Sequence, residues 1–244
     1  MTYYTASVAA VPTANKQAYI DHCAEAWTLF KPHGALRMIE TWGADVPKGM
    51  NTDFHDAVQA KEDETVVFAW IEWPDKAAAE AGWEKIMSDP AMASMSEMPF
   101  DGSRMIYGGF EPVYERGKLT DAGYYQGFVL AVPEKNRQAY AEMADEGWQM
   151  FEQFGATGMV ENWGDFVPEG KVTDFFRATK AEKGEMPLFS WITWPDRATC
   201  DAATKKMQEQ MSDFDMSKMP FDASRMMYAG FEPLFDSAEI ARAA

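Results

Sequence analysis

Two hydrophobic rhythms alternate along this chain, and the alternation occurs twice. From Tyr3 to Val11 most residues are apolar and the run ends at Pro12, as in a buried strand stopped by a residue with no backbone donor. From Ala14 to His33 the apolar residues Tyr19, Cys23, Ala26, Trp27 and Phe30 fall at helical spacing and end at Gly34, where a left-handed cap costs least. Strand patterns follow at 35–42, 54–60 and 66–73, the last two separated by the polar turn Lys61 to Glu64. Pro74 and Asp75 open a second helical stretch, with Asp75 placed to cap its first turn, and Pro90 closes it. A Met-rich loop then reaches Pro99-Phe100-Asp101, and a last strand runs from Arg104 to Glu111.

Shifted by 121 positions, Tyr4–Tyr114 aligns without a gap on Tyr125–Phe235, and 50 of those 111 pairs are identical. A repeat this long is a duplicated domain; solenoid units are shorter and need three or more copies to bury a core. The division predicted is 1–116 for copy one, 117–124 as linker, 125–236 for copy two and 237–244 as a C-terminal tail. Strand, helix, strands, helix, strand is the order of the ferredoxin-like α+β sandwich, here with one additional strand. Helices cover one face of such a sheet, and the other apolar face must find cover. The roughly ten residues Glu115 to Tyr124 between the copies reach about 35 Å at full extension. The fold predicted is therefore α+β, two ferredoxin-like domains packed sheet to sheet within one chain, with an apolar cavity in each between sheet and helices.

Composition narrows the partners. The formal charge of −17 and pI near 4.5 repel phosphate backbones and anionic lipid heads, which argues against nucleic acid and membrane surfaces. No apolar run approaches the roughly 20 residues of a spanning helix, and the N-terminus lacks the basic and apolar regions of a signal peptide. Cys23 and Cys200 sit at non-equivalent places, opposite Ala144 and Ala79 of the other copy, so no disulfide framework is expected and a reducing cytoplasm is the simplest home. A small-molecule ligand is the expected partner. The fused chain is expected to be an intrachain pseudo-dimer, either monomeric or paired again as a homodimer.

Candidate chemistry centres on the stretch Met38–Phe54, repeated as Met159–Phe175. Glu40 shares a strand face with Met38 and Trp42, and Glu161 shares one with Met159 and Trp163. Enclosed on such a face, each carboxyl would have a raised pKa and suit general acid or base work; the structural alternative is an ion pair with Arg104 or Arg225. Asp53 and Asp174 are expected to bond their own backbone. Tyr107 and Tyr228, in the last strands, could orient a ligand. All three histidines, His22, His33 and His55, lie in copy one and face Met143, Phe154 and Phe176 of copy two. His22 and His33 are expected on nearly one helical face. Met92, Met95 and Met98 are expected to fill core. Ligand spacing for a metal, a phosphate-cradling loop and a hydrolase elbow are all missing, so neither metal nor cofactor is expected.

Longer strings resemble a known family. Copy one carries Glu40-Thr41-Trp42-Gly43, Val46-Pro47-x-Gly49, Thr52-Asp53-Phe54, Phe68-Ala69-Trp70-Ile71-x-Trp73-Pro74 and Met98-Pro99-Phe100-Asp101-Gly102-x-Arg104-Met105-Ile106-Tyr107-Gly108-Gly109-Phe110-Glu111; copy two repeats the last block from Met219 to Glu232. These resemble the YbaA-like bacterial proteins, domain-of-unknown-function family 1428, of the dimeric α+β barrel superfamily. The resemblance covers nearly the whole chain. It implies a fused version of a normally dimeric single domain, and an intrachain dimeric α+β barrel. The family has Cys after the Glu, where this chain has Thr41 and Asn162, so thiol chemistry at that place is not available here. The family implies no activity. The wider superfamily holds cofactor-independent oxygenases, haem-binding enzymes, isomerases and plain binding proteins. The site expected is acid/base chemistry by Glu40 with Arg104 and His22. Trp42, His33, His55, Tyr107, Glu161, Trp163, Arg225 and Tyr228 would line the ligand. The alternative is a non-enzymatic binding, stress-related or protein-interaction module.

Overall fold

The structure is a computed structural model and describes residues 1–210 and 218–239. Each copy has four strands. In copy one they are β1 (Tyr3–Pro12), β2 (Arg37–Asp45), β3 (Glu64–Trp73) and β4 (Ile106–Gly117), with helices α1 (Lys16–Phe30), α2 (Phe54–Ala57) and α3 (Lys76–Ser88). Copy two follows with β5 (Tyr124–Pro133), α4 (Arg137–Gln153), β6 (Gly158–Phe166), α5 (Phe175–Ala178), β7 (Glu185–Trp194), α6 (Arg197–Gln210) and β8 (Met227–Asp236). The strands close into one barrel in the order β1-β3-β2-β8-β5-β7-β6-β4. Within a copy every pairing is antiparallel, and the copies join through β2 against β8 and β4 against β6. Closure leaves no strand edge, which answers the need to cover the second face of each sheet.

Side-chain parity assigns the faces. Ile39, Phe68 and Trp70 point into the barrel, whereas Met38, Trp42, Val67, Ala69 and Ile71 point out under α1 and α3. The interior is solid. Phe68 stacks on its own counterpart Phe189 at 3.9 Å between centroids, and Trp70 on its counterpart Trp191 at 4.2 Å, so equivalent rings meet across the pseudo-twofold axis. Gly34 and Gly155, at φ +104° and +100°, end the turns after the first helix of each copy in the left-handed region.

The extra strand expected at 54–60 is a short helix. Asp53 accepts from the backbone N–H of Asp56 at 2.9 Å and of Gly49 at 3.2 Å, so its carboxylate caps α2 and closes the preceding turn. Asp174 does the same for α5, taking Arg177 N–H at 2.8 Å. The cap overrides the apolar run that read as a strand. Phe54 and Phe175 then plug the barrel end, packing edge-on against Phe68 and Phe189 respectively. Thr52 Oγ1 donates to the Ala178 carbonyl of the other copy and Thr173 Oγ1 to that of Ala57, each at 2.7 Å. The repeated Thr-Asp-Phe is thus a lock between halves. Thr52→Ala leaves a buried carbonyl unpartnered and is expected to cost about 1–2 kcal/mol in urea unfolding.

Other boundaries also differ. The last strand of copy one starts at Ile106, and Arg104 closes a 3-10 turn (Gly102–Arg104) before it. β4 and β5 run into the ends of the expected linker, and Lys118 N–H bonds the Thr157 carbonyl at 2.6 Å. Ser237 belongs to the body rather than to a free tail, since its hydroxyl accepts from Met38 N–H at 2.9 Å; residues 240–244 of the expected tail lie outside the described residues. Met92 and Met98 stand 40% and 51% exposed instead of filling core, while Met95 packs against the helix-side cluster. No helix of the described residues is long and apolar enough to cross a membrane.

Candidate functional site

Glu40 lies on the outer face of β2, under α1. It is buried, and Tyr19 of α1 donates its phenol to Oε2 at 2.6 Å. Glu161 of β6 has the same arrangement with Tyr140 of α4, also at 2.6 Å. Burial pushes both carboxyls up to about 7, with hydroxyl hydrogen bonds working the other way, from Tyr19 at Glu40 and from Ser190 and Tyr140 at Glu161. Burial and the adjacent carboxylate hold both phenols well above their ordinary range. Cys23, one helical turn from Tyr19, is buried beside the pair, and its thiol is also raised, chiefly by burial. A carboxyl with a phenol and a thiol for company, and no cation, can hold a proton at neutral pH and exchange it.

The roof of each pair explains a second motif. Asn15 donates to the Pro99 carbonyl at 2.8 Å and Asn136 to that of Pro220 at 2.7 Å, which lays Phe100 and Phe221 edge-on or tilted over Tyr19 and Tyr140. Asp101 then caps the following 3-10 turn and receives Arg104 Nε at 3.0 Å. Pro-Phe-Asp therefore seals the sheet–helix layer. The expected apolar space between sheet and helix is filled in copy one by a cluster that includes Tyr19, Cys23, Trp27, Met38 and Trp42, with Phe100 packed against it.

Arg104 does not meet Glu40. Its guanidinium grips Glu64 through two bonds of 2.7 and 2.6 Å and also reaches Asp101 and the Gln59 carbonyl. Arg225 repeats this with Glu185, Asp222 and Lys180. The forks hold Glu64 and Glu185 below the usual carboxylate range. The expected Glu40–Arg104 pairing is therefore replaced by a rim lock at the start of β3. Both partners are identical in the two copies, and that was the available signal; Glu64 looked like part of a polar turn because its partner lies 40 residues away.

The histidines do not converge. His22 faces Ser96 Oγ at 3.3 Å, and burial lowers its pKa. His33 lies in a 3-10 turn after α1, where Nε2 pairs with Asp89 at 2.9 Å, and the His55 ring contacts the Val46 carbonyl at 3.3 Å. None of the three forms a hydrogen bond or ion pair with Glu40. Trp42 and Trp163 are buried beside their glutamates, with Lys16 and Arg137 placed over the rings at 5.1 and 5.3 Å. Tyr107 is exposed on the outer surface. Tyr228 borders a concavity of about 190 Å3 with Gln126 and Cys200. Tyr19 and Tyr140 were missed as site residues because a tyrosine at helical spacing reads as core.

A larger groove, about 730 Å3, runs between the copies and is lined by Tyr3, Lys76, Glu111 and Val113 from copy one and Arg137 and Ala141 from copy two. Val113 is the extra residue of a bulge between Pro112 and Tyr114, opposite Asn162 and Glu161. It packs against the core cluster that includes Tyr140 and Trp163, while neither Tyr140 nor Glu161 lines the groove.

A closed barrel of two ferredoxin-like halves, with a buried carboxyl under the first helix of each, defines a dimeric α+β barrel protein assembled from one chain. More particularly, the chain belongs to the family described as "Protein of unknown function (DUF1428)", which matches residues 2–102 and again 123–223. It is 53% identical over 116 residues, 47% of its own length, to uncharacterized protein YbaA of Escherichia coli (strain K12), spanning 99% of that protein, with the same figures for YbaA of Shigella flexneri. Among solved structures it resembles a putative monooxygenase of Fusobacterium nucleatum (TM-score 0.56, 10% identity, 96% of this chain and 93% of that one). An anthrone oxidase-like protein gives a TM-score of 0.53 at 10% identity, covering 96% and 92%. At such identity the likeness is one of fold.

Proposed function

We propose that this chain binds a small apolar or aromatic molecule carrying a hydroxyl or enol group at the Tyr–Glu pair between sheet and first helix, with the glutamate as proton acceptor or donor. The observation that carries this reading is a fully enclosed carboxyl whose hydrogen-bond donor is a phenol rather than a cation, poised near neutrality, in both halves. A structural carboxylate in such a place would normally be paired with a cation, as Glu64 is with Arg104. Proton removal from a phenol or enol is also the first requirement of cofactor-free oxygenation or isomerisation, and a base near pH 7 is matched to it. The rival reading is a non-enzymatic barrel in which the pair only ties α1 to the sheet; the filled layer above Glu40 favours it.

Carboxyl-carbon NMR separates the two. Glu40 and Glu161, assigned through Glu40→Gln and Glu161→Gln, are expected to titrate near pH 7 and to shift when phenol, a naphthol or a quinone is added. Titration at the ordinary glutamate value of about 4.3, or resonances indifferent to every probe, would sink the binding reading.

A further inference from the structure

A row of side chains on the outer sheet face distinguishes the two halves. Asp45 of β2, Gly230 of β8 and Gln126 of β5 stand side by side across three strands, and residues directly opposite in antiparallel strands share a face. A Cβ on Gly230 would collide with the Tyr124 hydroxyl, so that phenol lies over the glycine. The matching row on the other side of the barrel is Phe166, Gly109 and Thr5, with the Tyr3 hydroxyl over the glycine. There the polar groups are paired within the protein: Tyr3 donates to Asp165 and Trp73 Nε1 to Thr5 Oγ1, each at 3.0 Å. Both acceptors are replaced in the second row. Ala44 stands at the place of Asp165 and Gln126 at that of Thr5. Trp194, directly opposite Tyr124 in the β5–β7 ladder, is fully buried, and among the described residues neither its Nε1 nor Gln126 Oε1 has a hydrogen-bond partner. An enclosed donor and an enclosed acceptor left open on one face are uncommon and call for an explanation. Room lies beside them. Asp45, Tyr124, Gln126 and Gly230 all line the concavity of about 190 Å3, which Cys200 and Thr204 of α6 close from the helix side.

We propose that this concavity is a binding site for a small neutral aromatic carboxamide. Gln126 offers one acceptor and one donating amide group, which a carboxamide matches whichever way the glutamine is turned. The ligand carbonyl also accepts from the Tyr124 hydroxyl, as Asp165 does from Tyr3 in the other half. Size agrees, since a cavity of about 150 Å3 accepts a benzene ring. Charge favours a neutral molecule. Asp45 and Asp201 line the same concavity as Lys205, and Asp201 lies 3.6 Å from Arg197. A carboxylate ligand would meet Asp45 and an ammonium would meet Lys205, so both signs are disfavoured. The site shares no residue with either Tyr–Glu pair and is independent of the function proposed above.

Benzamide, benzylamine and benzoate, titrated separately against the full chain, test this by NMR, with the Trp194 indole N–H and the Gln126 side-chain amide as reporters. Benzamide is expected to shift both and to bind about tenfold more tightly than either charged analogue, the effect of one well-made hydrogen bond. Gln126→Thr, which installs the residue of copy one, and Tyr124→Phe, which removes only a hydroxyl, should each weaken benzamide about tenfold. Both variants should fold, and Gln126→Thr should move the ligand-free Trp194 indole resonance by giving it the hydroxyl partner that Trp73 has. Reporters indifferent to benzamide, a charged analogue binding as tightly, or a benzamide affinity unmoved by either substitution would overturn the inference.

Discussion

At pH 8 the double variant Glu40→Gln, Glu161→Gln will be more stable than the native chain, by about 4 kcal/mol. Each carboxyl is pushed up from 4.5 to about 7 in the folded state. An acid with a raised folded pKa binds its proton more tightly when folded. Its contribution to stability is complete below about 4.5, falls as pH rises toward 7, and is fully lost above that. The shift corresponds to ~3 kcal/mol per carboxyl. Glutamine keeps an oxygen to accept the tyrosine hydroxyl and never ionises, but its amide brings donors that cost about 1 kcal/mol where they find no partner. Urea unfolding at pH 5.5 and pH 8 reads the effect: the gap between variant and native chain should widen with pH through that window and stay flat beyond it. A variant less stable than the native chain at pH 8 would mean that the carboxylate form has a compensating partner, contrary to the geometry.

Arg104→Ala is expected to act in the opposite direction, costing about 3 kcal/mol at neutral pH. It removes both arms of the fork on Glu64, whose side chain is only 3% exposed, and leaves that carboxylate desolvated and unpaired. Breaking one side of a buried pair costs on the order of 3–5 kcal/mol, and the rim position places this pair at the lower end. Arg104→Lys keeps the charge but not the planar fork and should fall between. Glu64 has a lowered folded pKa, so its pairing contributes above the unfolded carboxyl range and is lost as pH falls through the folded value. The penalty of the variant should therefore shrink in acid. A loss below 1 kcal/mol, or one abolished by salt, would show that the fork is solvent-screened.

These two carboxylates illustrate what the residues revealed and where they misled. The face of Glu40 was readable from parity with Met38 and Trp42, and its burial followed. Its partner was not, because Tyr19 lies 21 residues earlier on a helix, and helical spacing says which face is inward but not which atom it touches. Arg104 was expected to meet Glu40, whereas its guanidinium grips Glu64. The histidines looked like a set because they are confined to copy one, yet each turned out to serve a separate loop.

The sequence by itself determined the duplication, the ferredoxin-like order, the strand faces and the repeated motifs, since these depend on periodicity, turn chemistry and internal identity within short windows. Only the tertiary structure decided the helix at 54–57, where Asp53 caps a turn and the barrel end receives Phe54. It alone also decided the stacking of Phe68 on Phe189, and the choice of Tyr19 over Arg104 for Glu40. Those outcomes depend on which distant surfaces meet when eight strands close, and no local pattern carries that information.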